Sequence, residues 1–571
     1  MVYIIMLSKL KSLSKFLFRN TKWLEKKQTS ILSAALIITA ANVASSVSGL
    51  IRERFLISFY FNTEAGQKAY EAFQVAFQVP DMLFQLIILG TLSAAFIPVF
   101  TKYKKKSEAE AFEIGLSVMN SLILIFLVVS LVVFIFSEPI TAWRTGGAFT
   151  ARQIQIAASL TRLMLFAQVF FAISNFLTGV LQSYQRFIVS AIAPIIYNLG
   201  IVLGVFLFGG QLGIYAAGVG VILGAFLHML IQLPFVFRLG FKFKFKLNLK
   251  HAGVKEIYKL IPPRVLTLGI SELKNLALGF FATSIGNLSF VVIKLALKLM
   301  TIPIRLFGVP ISQASLPFLS EEANPKQMKK FKTLIVQSVH QIAFLAMPAA
   351  VLLLILRIPI VRLVFGAQNF PWKTTLITGR AVAIIAVSVG VQSIVQLLIR
   401  AFHALKDTVT PFVIITVSAL VYLVISWVFV FKLESSVLGI AWATTVSAFI
   451  EAILFFILLE KRVKNLFFNK SFVQEQLKIL VCSFLMAVFL YLPFKIFDEL
   501  VFDTTKTVEL IGLTVTTSTI GLLVYIYFSV LFDVQELAYF MNAFQKFGKW
   551  QQPLSESKEV LIESGVDGED I

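Results

Sequence analysis

The chain has 571 residues, 58% of them hydrophobic and 14% charged, with a mean hydropathy of +0.86; an ordinary soluble domain carries about 25% charged residues, so no water-soluble fold can hide this much apolar surface. The formal charge of +21 arises from 51 Lys and Arg against 30 Asp and Glu, and the basic residues lie mainly between apolar runs, which points to a membrane and away from nucleic acid. The lone Cys482 excludes a disulfide framework or a Cys-based zinc site, and His228, His251, His340 and His403 contain no i, i+4 pair, so no metal site and no cofactor is expected.

In chain order, residues 1–30 form a basic segment carrying Lys9, Lys11, Lys15, Arg19, Lys22, Lys26 and Lys27. It has no h-region of signal-peptide length and no small-residue cleavage site, and it reads as an interfacial amphipathic helix. Crossing a hydrocarbon core of about 30 Å takes about 20 helical residues. Fourteen runs meet that need: 31–59, 72–100, 114–137, 153–182, 188–209, 212–237, 262–286, 290–318, 334–357, 376–402, 411–432, 437–460, 473–494 and 508–532. The expected architecture is an all-α polytopic membrane protein. Residues 31–240 form a first six-helix lobe, 241–261 a basic linker, 262–462 a second lobe and 463–535 two further helices. The tail 536–571 ends in an acidic stretch predicted to be disordered.

Every second connecting segment is basic: the N-terminal segment, then Lys102 with Lys104 to Lys106, then Lys326, Lys329, Lys330 and Lys332, then Lys461, Arg462 and Lys464. Short basic loops stay cytoplasmic, so both termini are expected there, as an even number of spans requires. The ribbon FKFKFKLNLK at 241–250 interleaves Lys with aromatic residues. It fits a juxtamembrane strip meeting anionic headgroups better than a nucleic-acid surface.

Two motifs recur. Pro80-Asp81-Met82-Leu83-Phe84 before Ala94-Ala95-Phe96-Ile97-Pro98 is echoed by Pro303-Ile304-Arg305-Leu306-Phe307 before Ala314-Ser315-Leu316-Pro317, an offset of 223. Leu181-Gln182-Ser183-Tyr184 before Pro194 is echoed by Ile399-Arg400-Ala401-Phe402 before Pro411, an offset of 218. Two independent motifs at nearly one shift imply two parallel repeats, with a cleft between them as the natural cargo site.

The stretches Arg400-Ala401-Phe402-His403-Ala404-Leu405-Lys406-Asp407-Thr408-Val409-Thr410-Pro411 and Gly179-Val180-Leu181-Gln182-Ser183-Tyr184-Gln185-Arg186-Phe187, the latter continuing through Ala193-Pro194-Ile195-Ile196-Tyr197-Asn198, resemble the MurJ (MviN) lipid II flippases of the MOP exporter superfamily. Phe77-Gln78-Val79-Pro80-Asp81 and Arg362-Leu363-Val364-Phe365-Gly366 support the resemblance, which covers roughly residues 30–535. It implies a bacterial inner-membrane protein that moves an undecaprenyl-diphosphate-linked peptidoglycan precursor outward by alternating access, with membrane lipids and cell-wall synthesis proteins as candidate partners. A diphosphate at the bilayer midplane is costly unless cations and water meet it, so such a carrier needs a basic cavity. Arg52, followed by Glu53, matches one family cavity arginine. The family's other arginines fall on Ser46, on Phe84 and, with charge retained, on Lys298.

Lys294 shares a helix face with Lys298 and is a candidate replacement cation. A carboxylate that contributes to a sodium site in some members falls on Leu278, so that site is expected to be absent. An inside-negative potential would still favour outward movement of an anionic headgroup by up to ~2.3 kcal/mol per charge per 100 mV.

The candidate cavity cations are therefore Arg52, Lys294 and Lys298. Glu53 is the partner of Arg52, Asp81 is expected to cap or stabilise the Pro80 break, and Glu272 with Lys274 is expected to form an internal ion pair. Competing readings are an exporter of another polyprenyl-linked glycan or of small molecules, and a transport-inactive scaffold in cell-wall synthesis. A membrane glycosyltransferase would need a substantial outer loop with catalytic carboxylates, and the outer segments at 138–152, 358–375 and 495–507 are short.

Overall fold

A computed structural model describes residues 31–89, 96–324, 327–366 and 370–540. The basic N-terminal segment, Ala94 and Ala95 of the first motif, Lys326 and the acidic tail lie outside the described residues. Those described form helices joined by short turns, with no strand among them. Helix overlaps all fourteen apolar runs. Ten described helices are long and apolar enough to cross a bilayer, or eleven when the pair Trp372–Ala386 and Val389–Ala404, bent by 47°, counts as one span. The first run, a single helix Ile31–Tyr60, and the second and eighth, each of which is divided, are not among them. The second consists of Glu64–Ala76, Gln78–Phe84, a π turn at Gln85–Leu89 and Ile97–Lys104; the eighth of Ser289–Pro303, a π turn at Ile304–Gly308 and Val309–Glu322.

These breaks have identifiable causes and partners. Proline lacks an amide hydrogen, so it orphans the carbonyl four residues earlier, and bulk water is not at hand inside a membrane. Behind Pro80, the Ala76 carbonyl accepts the Thr161 hydroxyl at 3.3 Å. Behind Pro348, the Phe344 carbonyl accepts the Tyr525 hydroxyl at 2.9 Å. At the bend near residue 387, the Ser388 amide bonds Ile385 in place of Ile384, and the Ile384 carbonyl accepts the Thr445 hydroxyl at 2.9 Å. At Pro80, at Pro348 inside helix Met328–Ile355 and at the bend near 387, the freed carbonyl thus ties its helix to a neighbour. The Thr161 hydroxyl meets the carbonyl left free at Pro80.

The internal repeat is visible in the turns. Gln185 and Lys406 both have φ of 59°. Beside them the Arg186 amide bonds the Leu181 carbonyl and the Asp407 amide bonds the Phe402 carbonyl, each at 2.9 Å. This is one helix-ending motif used twice, at an offset of 221 residues by subtraction of either pair of numbers. The motif alignment over 181–184 is therefore corrected by three positions, towards the offset of the first motif.

The apolar core forks. At the end bearing the turns near 61–63, 213, 286–288 and 433–437, a single cluster joins both halves, with Leu56, Phe73 and Val205 from the first and Phe281, Val292, Phe365 and Ile440 from the second. The Arg54 guanidinium also donates across this end to the carbonyls of Arg362 and Leu363. At the opposite, basic end the core divides into one cluster built from residues 79–257 and another built from 319–534. Helix Ala252–Ile285 lies along the fork: Val254 and Ile257 belong to the first-half core, and Leu278, Phe281 and Ala282 to the shared one. It begins ten residues before the apolar run it contains, and Lys102 holds its first turns through Glu256 at 2.9 Å.

Candidate cargo cavity

At the crotch of the fork lies a cavity of about 800 Å³, lined by Arg52, Glu53, Leu56, Phe73, Gln74, Phe77, Gln78, Asp81, Ile201, Glu272, Asn275, Leu276, Lys294 and Lys298. Six of the seven charged residues singled out from sequence meet there. They come from four helical segments: Ile31–Tyr60, Gln78–Phe84, Ala252–Ile285 and Ser289–Pro303.

One wall is built around Glu53, whose side chain is wholly buried. Its Oε2 accepts the Arg52 guanidinium at 3.2 Å and the Lys298 ammonium. Its Oε1 accepts the Tyr70 hydroxyl and the Gln74 amide, the latter at 2.6 Å. Arg52 reaches onward to the Asn198 carbonyl oxygen at 3.0 Å, and the Asn198 amide donates to Ser48 at 2.8 Å. A buried carboxylate is tolerable when its lone pairs are filled and its charge is paired, and here both conditions are met. The Arg52 Nε is buried without a partner.

The facing wall is different. Lys294 points its ammonium at the Phe290 ring, 5.4 Å from the centroid, and forms no ion pair among the described residues. Asp81 and Glu272 line the same space, also without an ion pair among those residues. Behind them, Gln78 is a relay: its carbonyl oxygen accepts the buried Arg144 guanidinium, and its amide donates to the Asn275 carbonyl at 3.0 Å.

The expected Glu272–Lys274 ion pair does not form. Residues two apart on a helix face away from each other, so Glu272 turns into the cavity while Lys274 lies over the Tyr422 ring at 5.0 Å, on the side of Glu451. Phe84, where an arginine was expected, is buried against Phe171 with centroids 5.8 Å apart. Ser46 lines a smaller groove of about 390 Å³ whose other wall carries Arg305.

Tyr70, Gln74, Asn198 and Arg144 were not singled out from sequence. Tyr70 and Gln74 carry an i, i+4 polar signature on an otherwise mixed helix, and Asn198 closes a motif already noted; Arg144 gave no such signal. Among the described residues no group of three or more His, Cys, Asp or Glu is placed to hold a metal ion.

Comparison with known proteins decides the family. The family model described as "Lipid II flippase MurJ" matches residues 65–511. The chain belongs to the MurJ lipid II flippase family. The lipid II flippase MurJ of Burkholderia cenocepacia is 26% identical over 442 residues, covering 76% of this chain and 84% of that protein. The probable lipid II flippase MurJ of Thermotoga maritima is 26% identical over 516 residues, covering 89% and 98%. Among solved structures, a MurJ in an inward closed conformation superposes with a TM-score of 0.71 at 22% identity, covering 87% of this chain and 98% of that one. An inward-facing multidrug MATE transporter of the MOP superfamily superposes with a TM-score of 0.61 at 14% identity, covering 76% and 98%. The MurJ fold is thus shared with MATE transporters.

Proposed function

We propose that this MurJ-family chain carries lipid II from the cytoplasmic to the outer leaflet of the bacterial inner membrane by alternating access, as a transporter that leaves its cargo chemically unchanged. The single observation that carries the reading is Lys294: a cation on the cavity wall, beside a saturated Glu53 cluster, that forms no ion pair among the described residues. An anionic diphosphate entering the fork meets that ammonium first. Arg52 and Lys298 contribute their residual donors without leaving Glu53. Lys is a compact point charge and lacks the bidentate fork of Arg, so contact through Lys294 requires no fixed phosphate orientation. Arg305, which lines a separate groove with Ser46, is a further cation for the headgroup in this reading.

The basic turns at the divided end support a cytoplasmic position for that end and for both termini. The lining holds three cations, Arg52, Lys294 and Lys298, and three carboxylates, Glu53, Asp81 and Glu272. In their ordinary charge states these cancel, so an inside-negative potential acts on the loaded carrier through its anionic cargo and leaves the empty return step unopposed. Collapsing the potential without slowing export overturns that part of the reading.

The deciding experiment is complementation of cells depleted of their own lipid II flippase, with the wild-type chain, Arg52→Ala, Lys294→Ala and Lys298→Ala at matched membrane levels. Rescue by wild type, abolished by Lys294→Ala, supports the reading. A well-expressed wild-type chain that fails to rescue points to another cargo or to a scaffold role.

A further inference from the structure

The stretch between the two lobes carries a feature that cargo transport does not use. Residues 241–248 run without helix or strand pairing from Phe241, which is buried against Phe112, Phe176 and Phe243, to the start of helix Ala252–Ile285. The ribbon is pinned at defined points. Asn120 donates to the carbonyls of Lys244 and Lys246 at 3.1 and 3.0 Å. Ser117 accepts the Asn248 amide at 3.2 Å, and Glu113 holds Lys246 at 2.6 Å. His251 then caps the next helix through the Gly253 amide and meets Glu110 at 3.3 Å.

Pinned in this way, the ribbon exposes two kinds of group. Phe243, Phe245, Leu247 and Leu249 are 44, 77, 40 and 52% exposed, and Phe237 at the end of the sixth run continues their row. Between them stand Lys242 and Lys244, which are exposed and form no ion pair among the described residues. The backbone amides of residues 242–247 also have no hydrogen-bond acceptor among the described residues. Unpaired amides are not tolerated in hydrocarbon, and a row of phenyl and leucyl side chains is poorly placed in water. One depth satisfies both: the headgroup layer, with the apolar row directed to the acyl chains and the amides and ammonium groups meeting phosphate oxygens.

We propose that residues 241–249 form a binding site for the anionic phospholipids of the leaflet at the basic end, in which Lys242, Lys244 and the free amides take the headgroup phosphate and Phe243 and Phe245 seat among the acyl chains. The occupant is the bilayer lipid itself. The ribbon is continuous with the lipid-facing surface of the sixth run, and the positive charge complements an anionic headgroup. The ribbon is also the covalent link from the first lobe to helix Ala252–Ile285, so lipid held there fixes the start of the helix that lines the fork. Nothing in this site depends on the identity of the cargo.

The test uses the full chain in vesicles of phosphatidylcholine with or without phosphatidylglycerol. A nitroxide at position 245 (Phe245→Cys, with the buried Cys482 replaced by Ala) is expected to be open to oxygen and shielded from a water-soluble nickel chelate. A label at the exposed turn position Thr505 is expected to be open to both. Association of spin-labelled phosphatidylglycerol relative to phosphatidylcholine is expected to fall by about fivefold at this site for each lysine removed in Lys242→Gln and Lys244→Gln. It is expected to persist in the Lys242→Arg/Lys244→Arg chain, which separates charge from folding. Nickel access at 245 equal to that at 505 overturns the seating. An unchanged headgroup preference in a Lys242→Gln/Lys244→Gln chain that retains its wild-type melting temperature overturns the phosphate site.

Discussion

The two walls of the cavity carry the same kinds of charge and use them differently. Around Glu53 every strong acceptor is filled, by Arg52, Lys298, Tyr70 and Gln74, and the charges are committed to one another. Around Lys294 the ammonium, Asp81 and Glu272 share a space without closing ion pairs among the described residues. A saturated cluster inside a membrane serves as structure, because opening it exposes an unpaired buried charge. An unsaturated one has interactions left to give, which is what a carrier needs on the side that meets cargo. The comparison assigns stability to one wall and affinity to the other.

The largest expected effect follows from removing the hub. Glu53→Ala leaves Arg52 and Lys298 adjacent with no buried anion between them, and loss of one partner of a buried pair costs ~3–5 kcal/mol. A marked fall in melting temperature in detergent is expected, part of which Lys298→Met on the same background recovers. Equal melting of the single and double variants would show that the three charges do not act as a unit.

On the open wall the effect moves from stability to rate. Lys294→Gln is expected to lower the initial rate of lipid II translocation in proteoliposomes by about ten- to a hundredfold, the equivalent of one charged hydrogen bond of ~1.5–3 kcal/mol. Its melting is expected to change by no more than ~0.5 kcal/mol. Lys294→Arg retains the charge and is expected to retain most of the rate. If Lys294→Gln instead melts early with its rate intact, the assignment of the two walls is reversed.

Part of this division was legible in the sequence and part was not. Arg52, Lys294 and Lys298 stand out as charges in apolar runs, and the repeat and the basic loops gave the order of helices and the position of the cleft. Which carboxylate holds which cation is a tertiary fact: Tyr70, Gln74 and Asn198 reach Glu53 and Arg52 from helices separated by up to 146 positions. Glu272 and Lys274 invite pairing because they are close in sequence, and helix geometry sends them to opposite sides. The Pro80 break was visible, but not the Thr161 hydroxyl that completes it, nor Pro348 and its partner Tyr525, since Thr and Tyr in an apolar run carry no mark of their future partner. Helix overlaps all fourteen apolar runs, but the π turns that divide runs two and eight leave no signature in apolar length.

Those hydroxyls extend the comparison to the backbone. Thr161→Val leaves the Ala76 carbonyl behind Pro80 without its partner. The expected loss is ~1 kcal/mol, between the ~0.6 kcal/mol average for side-chain bonds within a membrane and the ~1–3 kcal/mol of an orphaned buried group. Tyr525→Phe, acting on the Phe344 carbonyl, should cost the same. A loss from Thr161→Val as large as that from Glu53→Ala would mean that backbone saturation, and not charge, dominates the first lobe.

The smallest effect is expected from a saturated carboxylate in water, which isolates what burial adds at Glu53. Asp407 lies in the turn before helix Val409–Trp427, and its carboxylate accepts the Thr410 amide at 3.0 Å and the Thr410 hydroxyl at 2.8 Å. Slight burial pushes its pKa up, but the bonds from Thr410 and Val409 and the charge of Arg462 outweigh this and hold it below its ordinary value of 3.8. A depressed folded-state pKa means that the stabilisation is present above the unfolded value and is lost as pH falls through the folded one. Melting followed from neutral pH downward should therefore lose a small increment below about pH 3.8, and Asp407→Asn should remove that increment while leaving neutral-pH melting nearly unchanged. Because solvent competes for the same carboxylate, its loss should be far smaller than that of Glu53→Ala. Comparable losses at the two sites would make hydrogen-bond saturation alone, without exclusion of water, the source of the hub's strength.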